Sequence, residues 1–355
     1  MLSAIGALSQ HLGPVILIAV VADNRASLIE AGWIITARAL GDLLATFILP
    51  AMGVYHLGRL SAIATTALMI VAYLIATLNN INLILLGFLL VGFCCGVLKY
   101  LGTMAASAYL QRTFAFVFRL SFVLIIAGSA TIYLLSTHSF ASYSTLLISL
   151  VFLIAVLSLI GTAFYRPIYR QKESTLEHPE GRRATATVGL LTVGLFFIGI
   201  SGSMAYIGER ALARGLSMND TILAIGATKG LAGVAVLGTA FYMRKDVKGG
   251  GPIAMWFLIA AVWGVFLSRN AAEFFVGLLV LEISLNTYGG WLQSAITGVA
   301  SEFSARWLNL VILLGTAAGP SLYGLAIASG QETSFLLFAC VAIVLSLVWQ
   351  RTVRA

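Results

Sequence analysis

Charged residues make up only 10% of this 355-residue sequence, against 60% apolar residues. A soluble globule has too little interior to hide that much apolar surface, so a water-soluble domain is excluded. Cysteine is nearly absent too. Cys94 and Cys95 are adjacent and Cys340 is distant, which gives neither a disulfide framework nor the spacing of a metal site, and no metal is expected. The four histidines, His11, His56, His138 and His178, are scattered. With no carboxylate or nucleophile clustered around them, an intramembrane enzyme is not expected. Nor is there a phosphate-cradling glycine loop, and the longest polar stretch, 166–185, is too short to be a soluble ATPase domain. No cofactor is expected, and any energy for work should come from an ion gradient.

What the chain does have is apolar runs, each long enough to cross about 30 Å of hydrocarbon as a helix. They predict an all-α polytopic membrane protein with twelve spans, at 2–22, 28–52, 60–78, 81–107, 119–137, 144–165, 186–207, 219–243, 252–268, 272–298, 306–328 and 333–350. The first run lacks the basic start of a signal peptide, so it reads as span 1. Short connections such as Asn79-Asn80 make neighbouring spans antiparallel.

Orientation follows from Lys and Arg in the loops. With the N-terminus inside, Arg59, Arg112, Arg119, Arg166, Arg170, Lys172, Arg182, Arg183, Arg244, Lys245, Lys248, Arg306, Arg351 and Arg354 are cytoplasmic, and only Arg25, Arg210, Arg214 and Arg269 are outside. Both termini are therefore expected in the cytoplasm, and the protein in the bacterial inner membrane. The same asymmetry explains the net charge of +8 without a nucleic-acid partner.

The two halves of the chain resemble each other at an offset of about 190 residues. Ser27-Leu-Ile-Glu30 and Ser217-Met-Asn-Asp220 both read as capping boxes at a helix start. Each is followed by a cation inside the span, Arg38 and Lys229. Asp23 and Arg25 close span 1 as Glu209 and Arg210 close span 7. Arg119 precedes Gly128-Ser-Ala130 as Arg306 precedes Gly315-Thr-Ala317. These matches divide the chain into six-span halves, 1–165 and 186–355, joined by a cytoplasmic linker, 166–185. Parallel repeats of this kind place a solute site between the halves near the midplane.

On these features the chain resembles a major facilitator superfamily transporter along essentially its whole length. Gly53-Val-Tyr-His-Leu-Gly58-Arg59-Leu60 is similar to a shortened form of that family's glycine and arginine loop motif, without its usual aspartate. Gly315-Thr-Ala-Ala-Gly319-Pro320 is similar to the family's glycine-proline helix signature, and Gly87 stands where many members carry an arginine. The resemblance implies that spans 1, 4, 7 and 10 line a central cavity. The candidate lining is then Gln10, His11, Lys99, Tyr206, Glu282, Asn286, Tyr288, Trp291 and Gln293.

A charge at the bilayer centre costs at least about 2.5–3.5 kcal/mol, so it must face protein or a wet cavity. Five residues carry one: Arg38, Asp42, Lys99, Lys229 and Glu282. Arg38 and Asp42, four apart, share a helix face, either as a neutralising pair or as a site where Asp42 exchanges a proton. Lys99 and Glu282 lie on spans from opposite halves; if they meet they bridge the halves, either permanently or in one state of a transport cycle, and otherwise they stand on faces that never meet. Glu282 is the leading coupling carboxylate and His11 a candidate proton relay. Asp23, Arg25, Glu209 and Arg210 are candidate gate pairs. Three cations against two anions leave a surplus positive charge, suited to an anionic solute, and Tyr206, Tyr288 and Trp291 could face an aromatic one. The expected function is a secondary active, proton-coupled transporter of a small organic solute, working as a monomer, with that solute, protons and the bilayer as partners. A drug/proton antiporter and a transport-fold sensor or assembly factor are the alternatives.

Overall fold

The computed structural model describes residues 2–51, 58–107, 112–137, 142–163, 180–243, 250–299 and 301–354. The loop motif at 53–57, the linker residues 166–179 and the basic residues Arg244, Lys245 and Lys248 lie outside them. Every regular element among the described residues is a helix, as hydrocarbon demands of a chain whose backbone polar groups must pair internally.

Fourteen helices make up the twelve expected spans. Span 1 is α1 (Leu2–His11) and α2 (Gly13–Ala22), with a 51° bend between them. Pro14, at the start of α2, lacks the N–H that would continue the ladder. Spans 2 to 6 are α3 (Leu28–Ala51), α4 (Arg59–Ala76), α5 (Ile81–Ser107), α6 (Arg112–Thr137) and α7 (Tyr143–Ala163). Span 7 is also interrupted, as α8 (Glu180–Ala205) and α9 (Ile207–Ala213) on either side of Tyr206. Spans 8 to 12 are α10 (Met218–Met243), α11 (Gly250–Leu267), α12 (Ala271–Val299), α13 (Ser301–Ala328) and α14 (Glu332–Arg354). Nine of these helices are individually long and apolar enough to cross a bilayer, and the bent α1–α2 pair makes a tenth. Two shorter apolar stretches, Ser121–Leu134 and Pro252–Leu267, are consistent with the remaining two. Continuous helices were expected for spans 1 and 7, and span 7 begins at Glu180, inside the expected linker.

The repeat is written into the backbone at one end of the bundle, the capped end. Span 1 stops at Asn24, with positive φ, whose flanking amides bond back to Val20 and Val21 carbonyls. Span 7 stops at Gly215, also with positive φ, in the same kind of turn onto Ala211 and Leu212. The first capping box then forms in full and the second in part. The Ser27 N–H donates to Glu30 Oε2 (2.7 Å), and the Asp220 N–H donates to Ser217 Oγ (3.1 Å). Asn80 and Asn270, 190 residues apart, cap α5 and α12 through their side-chain oxygens at 2.9 Å.

The halves meet along two seams. In one, α6 lies against α10 with Gly128, Gly226, Gly230 and Gly233 at the contact; a Cβ on Gly233 would lie 2.9 Å from the Ser121 carbonyl. Small residues let backbones approach this closely. In the other, α3 lies against α13, where the Thr36 hydroxyl is 2.6 Å from Ser321 Oγ and donates to the Ala317 carbonyl at 2.7 Å. Large apolar side chains such as Phe152, Leu159, Leu191, Trp256 and Val341 point outward, as a lipid-facing surface requires. The chain is an integral multi-pass membrane protein.

Candidate functional site

Five membrane-buried charges sort into two clusters, one in each half. The first stands on α3 and α5, held together by glycine. Gly41, Gly92 and Gly96 bring the two backbones into contact, and a Cβ on Gly96 would lie 2.8 Å from the Asp42 carbonyl. That approach lets Lys99 of α5 reach across and bond Asp42 Oδ2. Lys99 Nζ also donates to Gln10 Oε1 of α1 at 3.1 Å. Arg38, one turn before Asp42, has its Nη1 3.9 Å from the same Oδ2, within ion-pair range and beyond a hydrogen bond. Among the described residues, Arg38 Nε and Nη1 and Asp42 Oδ1 are buried without a hydrogen-bond partner.

The second cluster stands on α10 and α12. Lys229 bonds Glu282 Oε1 directly. Asn286, one turn beyond Glu282, donates its amide to the Glu282 carbonyl (2.7 Å) and to Oε2 (3.3 Å). Both oxygens of Glu282 are thus engaged, one by a cation and one by a neutral donor. His11 stands at the bend of span 1 and feels the charge of Lys99, Arg38 and Lys229.

Several expectations are corrected by this geometry. Lys99 and Glu282 do not bridge the halves: each is paired inside its own half, with Asp42 and with Lys229. The sequence placed Arg38 and Asp42 together by helical spacing, but spacing within one helix cannot reveal that a lysine on a neighbouring helix lies closer to the carboxylate. Nor are the aromatic residues free to face a solute. Tyr206 is fully buried at the span 7 break, where its hydroxyl donates to the Leu28 carbonyl of the other half (3.1 Å) and its ring packs on Tyr323. Tyr288 points to α14, its hydroxyl 2.5 Å from Ser346 Oγ, and packs on Phe196 and Trp291. Trp291 is itself buried, and Gln293 is half-buried.

Of the two candidate gate pairs, Asp23 with Arg25 forms, and Arg210 takes a partner other than Glu209. Arg25 Nε bonds Asp23 Oδ2 (2.7 Å), Arg25 Nη1 donates to the Thr77 carbonyl (2.9 Å), its guanidinium covers the Tyr143 ring, and the Tyr143 N–H donates to Asp23 (3.3 Å). Span 1 is thereby tied to the ends of spans 3 and 6. In the other half, Arg210 pairs with Glu332 and lies over Phe266, and Arg214 donates to the Ser268 carbonyl. Span 7 is tied to the ends of spans 9 and 12. Glu209 is half-buried. Glu332 was missed as Arg210's partner, although its place as an acid in the first turn of span 12 was a usable signal. Among the described residues, uncharged contacts join the halves at this end, among them Tyr206 on Leu28 and Ile18 packed onto Gly208.

No protein-family model and no curated protein matches the sequence. The fold has close counterparts among solved structures. The human organic anion transporter MFSD10 (TETRAN) superposes with a TM-score of 0.61 at 15% identity, over 97% of this chain and 98% of that one. The E. coli fucose:proton symporter FucP, in a single-residue variant, gives 0.58 at 12% identity, over 99% and 96%. FucP in its outward conformation, described as a major facilitator superfamily transporter, gives 0.61 at 11%, over 99% and 97%. The chain therefore has the fold of major facilitator superfamily transporters from end to end.

Proposed function

We propose that this protein is a secondary active transporter that carries a small organic anion by alternating access of its two six-span halves, driven by protons. The observation that carries the anion is where the surplus charge lies. Arg38 and Lys99 face a single carboxylate in the first half, whereas Lys229 and Glu282 balance in the second. Of the five charges only Lys99 is part-exposed, its side chain 22% accessible against at most 3% for the rest. A reachable cation in a low-dielectric site with net positive charge is a natural partner for a carboxylate. With Tyr206 and Tyr288 packed elsewhere, no aromatic ring is required of the solute. The names of the counterparts, an organic anion transporter and a sugar:proton symporter, are in keeping with this class.

The neutral pair suits the proton. Protonating Glu282 would release Lys229, and a change in the packing of α10 and α12 would follow from breaking a bond between them. His11, which feels the charge of both clusters, passes the proton. The loop charges put the capped end outside and both termini in the cytoplasm, in a membrane with an acidic exterior such as the bacterial inner membrane. The Tyr206–Leu28 and Ile18–Gly208 contacts then close the outer side, and the resting protein faces inward as a monomer.

The test is counterflow in proteoliposomes with a panel of labelled small carboxylates, amines and neutral sugars. Carboxylates should exchange. Lys99→Gln should abolish that exchange, and Glu282→Gln should keep it while losing accumulation driven by a pH gradient. Preference for amines or neutral sugars, or unchanged behaviour of both variants, would overturn the reading.

A further inference from the structure

Asp42 is approached by two cations and bonded by one. Lys99 holds Oδ2, while Arg38 stands 3.9 Å from the same oxygen with two buried nitrogens lacking a hydrogen-bond partner among the described residues. Asp42 Oδ1 is likewise buried and unbonded. Such a guanidinium is costly to hold in hydrocarbon without partners. The arrangement makes sense if Arg38 does not wait idle. We infer that Arg38 is a reserve counter-ion: when a solute anion draws Lys99 away from Asp42, Arg38 closes onto Asp42 and keeps it paired. This deepens the anion reading above and rests on it for the event that moves Lys99.

The geometry favours this order of events. Lys99 has the flexible four-carbon stem, partial exposure and a second acceptor in Gln10, so it can swing toward a solute. Arg38 shares a helix with Asp42, one turn away, so its closure needs only a rotamer change. The side chains facing Asp42 are few. Arg38 comes from its own helix, Lys99 and the thiol of Cys95 from α5, with Gln10 of α1 bonded to Lys99 and His11 of α1 within the field of both cations. The α2 sequence and residues 307–328 of α13, which also pack on α3, hold no charged residue. Were Arg38 absent, each arriving anion would strip Asp42 of its counter-ion, and a lone buried carboxylate takes up a proton. The reserve cation thus keeps anion binding in this half separate from proton binding at Glu282.

Lys99→Gln mimics the departed lysine without needing an identified solute. In the purified full-length variant, infrared spectra at neutral pH should show no neutral-acid carbonyl band assignable to Asp42, with Asp42→Asn in the same background as the assignment control. The band should emerge when Arg38→Gln is added. A structure of Lys99→Gln should show Arg38 moved from 3.9 Å into hydrogen-bond contact with Asp42, which decides the matter even if the double variant does not fold. An Asp42 acid band in Lys99→Gln alone, or Arg38 left at its present distance, overturns the proposal. If Arg38 closes but labelled carboxylates neither bind nor exchange in the unaltered protein, the counter-ion role stands and the anion reading fails.

Discussion

The two halves match where they are tied together at the capped end and differ where charge is buried. At the capped end the devices coincide: a positive-φ turn at Asn24 and Gly215, a capping box at Ser27 and Ser217, an asparagine cap at Asn80 and Asn270. The arginine ties agree in kind, Arg25 to the Thr77 carbonyl and Arg214 to the Ser268 carbonyl. In the membrane interior the agreement stops. Spans 2 and 8 both carry a cation, but span 4 presents Lys99 where span 10 presents Glu282, and only the first half adds Asp42. Architecture has been kept in duplicate and chemistry has not. A symmetric pair of clusters would give both halves the same affinity for charge. The observed pair gives one half a spare cation and the other a balanced bond.

The largest effect should come from breaking that balance. Lys229→Ala leaves Glu282 buried with only Asn286 beside it, and orphaning one member of a buried pair costs roughly 3–5 kcal/mol. Lys99→Ala should cost clearly less, because Arg38 is at hand for Asp42. Thermal unfolding of the purified variants in detergent checks the order, and adding Glu282→Gln to Lys229→Ala should recover part of the loss. Equal losses at Lys99 and Lys229 would mean that the spare cation does nothing for the first half.

Much of this comparison could be read from the sequence. Twelve spans followed from apolar run length, and the repeat from capping residues, because both are local properties of a chain in lipid. The choice of charged partners could not be read, because it depends on distances between helices. Gly41, Gly92 and Gly96 pull α3 onto α5, and that approach gives Asp42 to Lys99. Likewise the breaks at Leu12 and Tyr206 escaped a reading based on hydropathy, which sees an apolar run and no interruption, although Pro14 marked the first. The expected gate pairs divide in the same way. Asp23 and Arg25, two residues apart, pair as expected, but Arg210 takes Glu332 of span 12 and not its neighbour Glu209.

A middle-sized effect should come from the seams between halves. Gly233→Val would put carbon against the Ser121 carbonyl and Ile125 at α6, and overpacking of that kind costs about 1–3 kcal/mol. Because this seam joins the halves, transport rate should fall further than stability, measured as initial exchange in proteoliposomes against thermal midpoint. The equally glycine-rich seam of α3 and α5 lies within one half. There Gly92→Ala, which meets the Arg38 backbone, should lower stability and rate together.

The smallest effect distinguishes a tie from a gate. Arg25→Ala and Arg210→Ala each remove a part-exposed ion pair and a cation over a ring. Part-exposed pairs contribute little, typically up to about 1 kcal/mol, and the ring contact adds about as much. The two variants should lose similar, small amounts of thermal stability, since they do the same job in duplicate halves. Neither should change which side of the membrane a solute reaches first. Reactivity of a single cysteine placed at Tyr206 or Ile18, probed from either side of oriented vesicles, measures that access. A charged gate would shift labelling in either arginine variant. A tie within each half leaves labelling as it was, because the Tyr206–Leu28 and Ile18–Gly208 contacts that join the halves here are made without either arginine side chain.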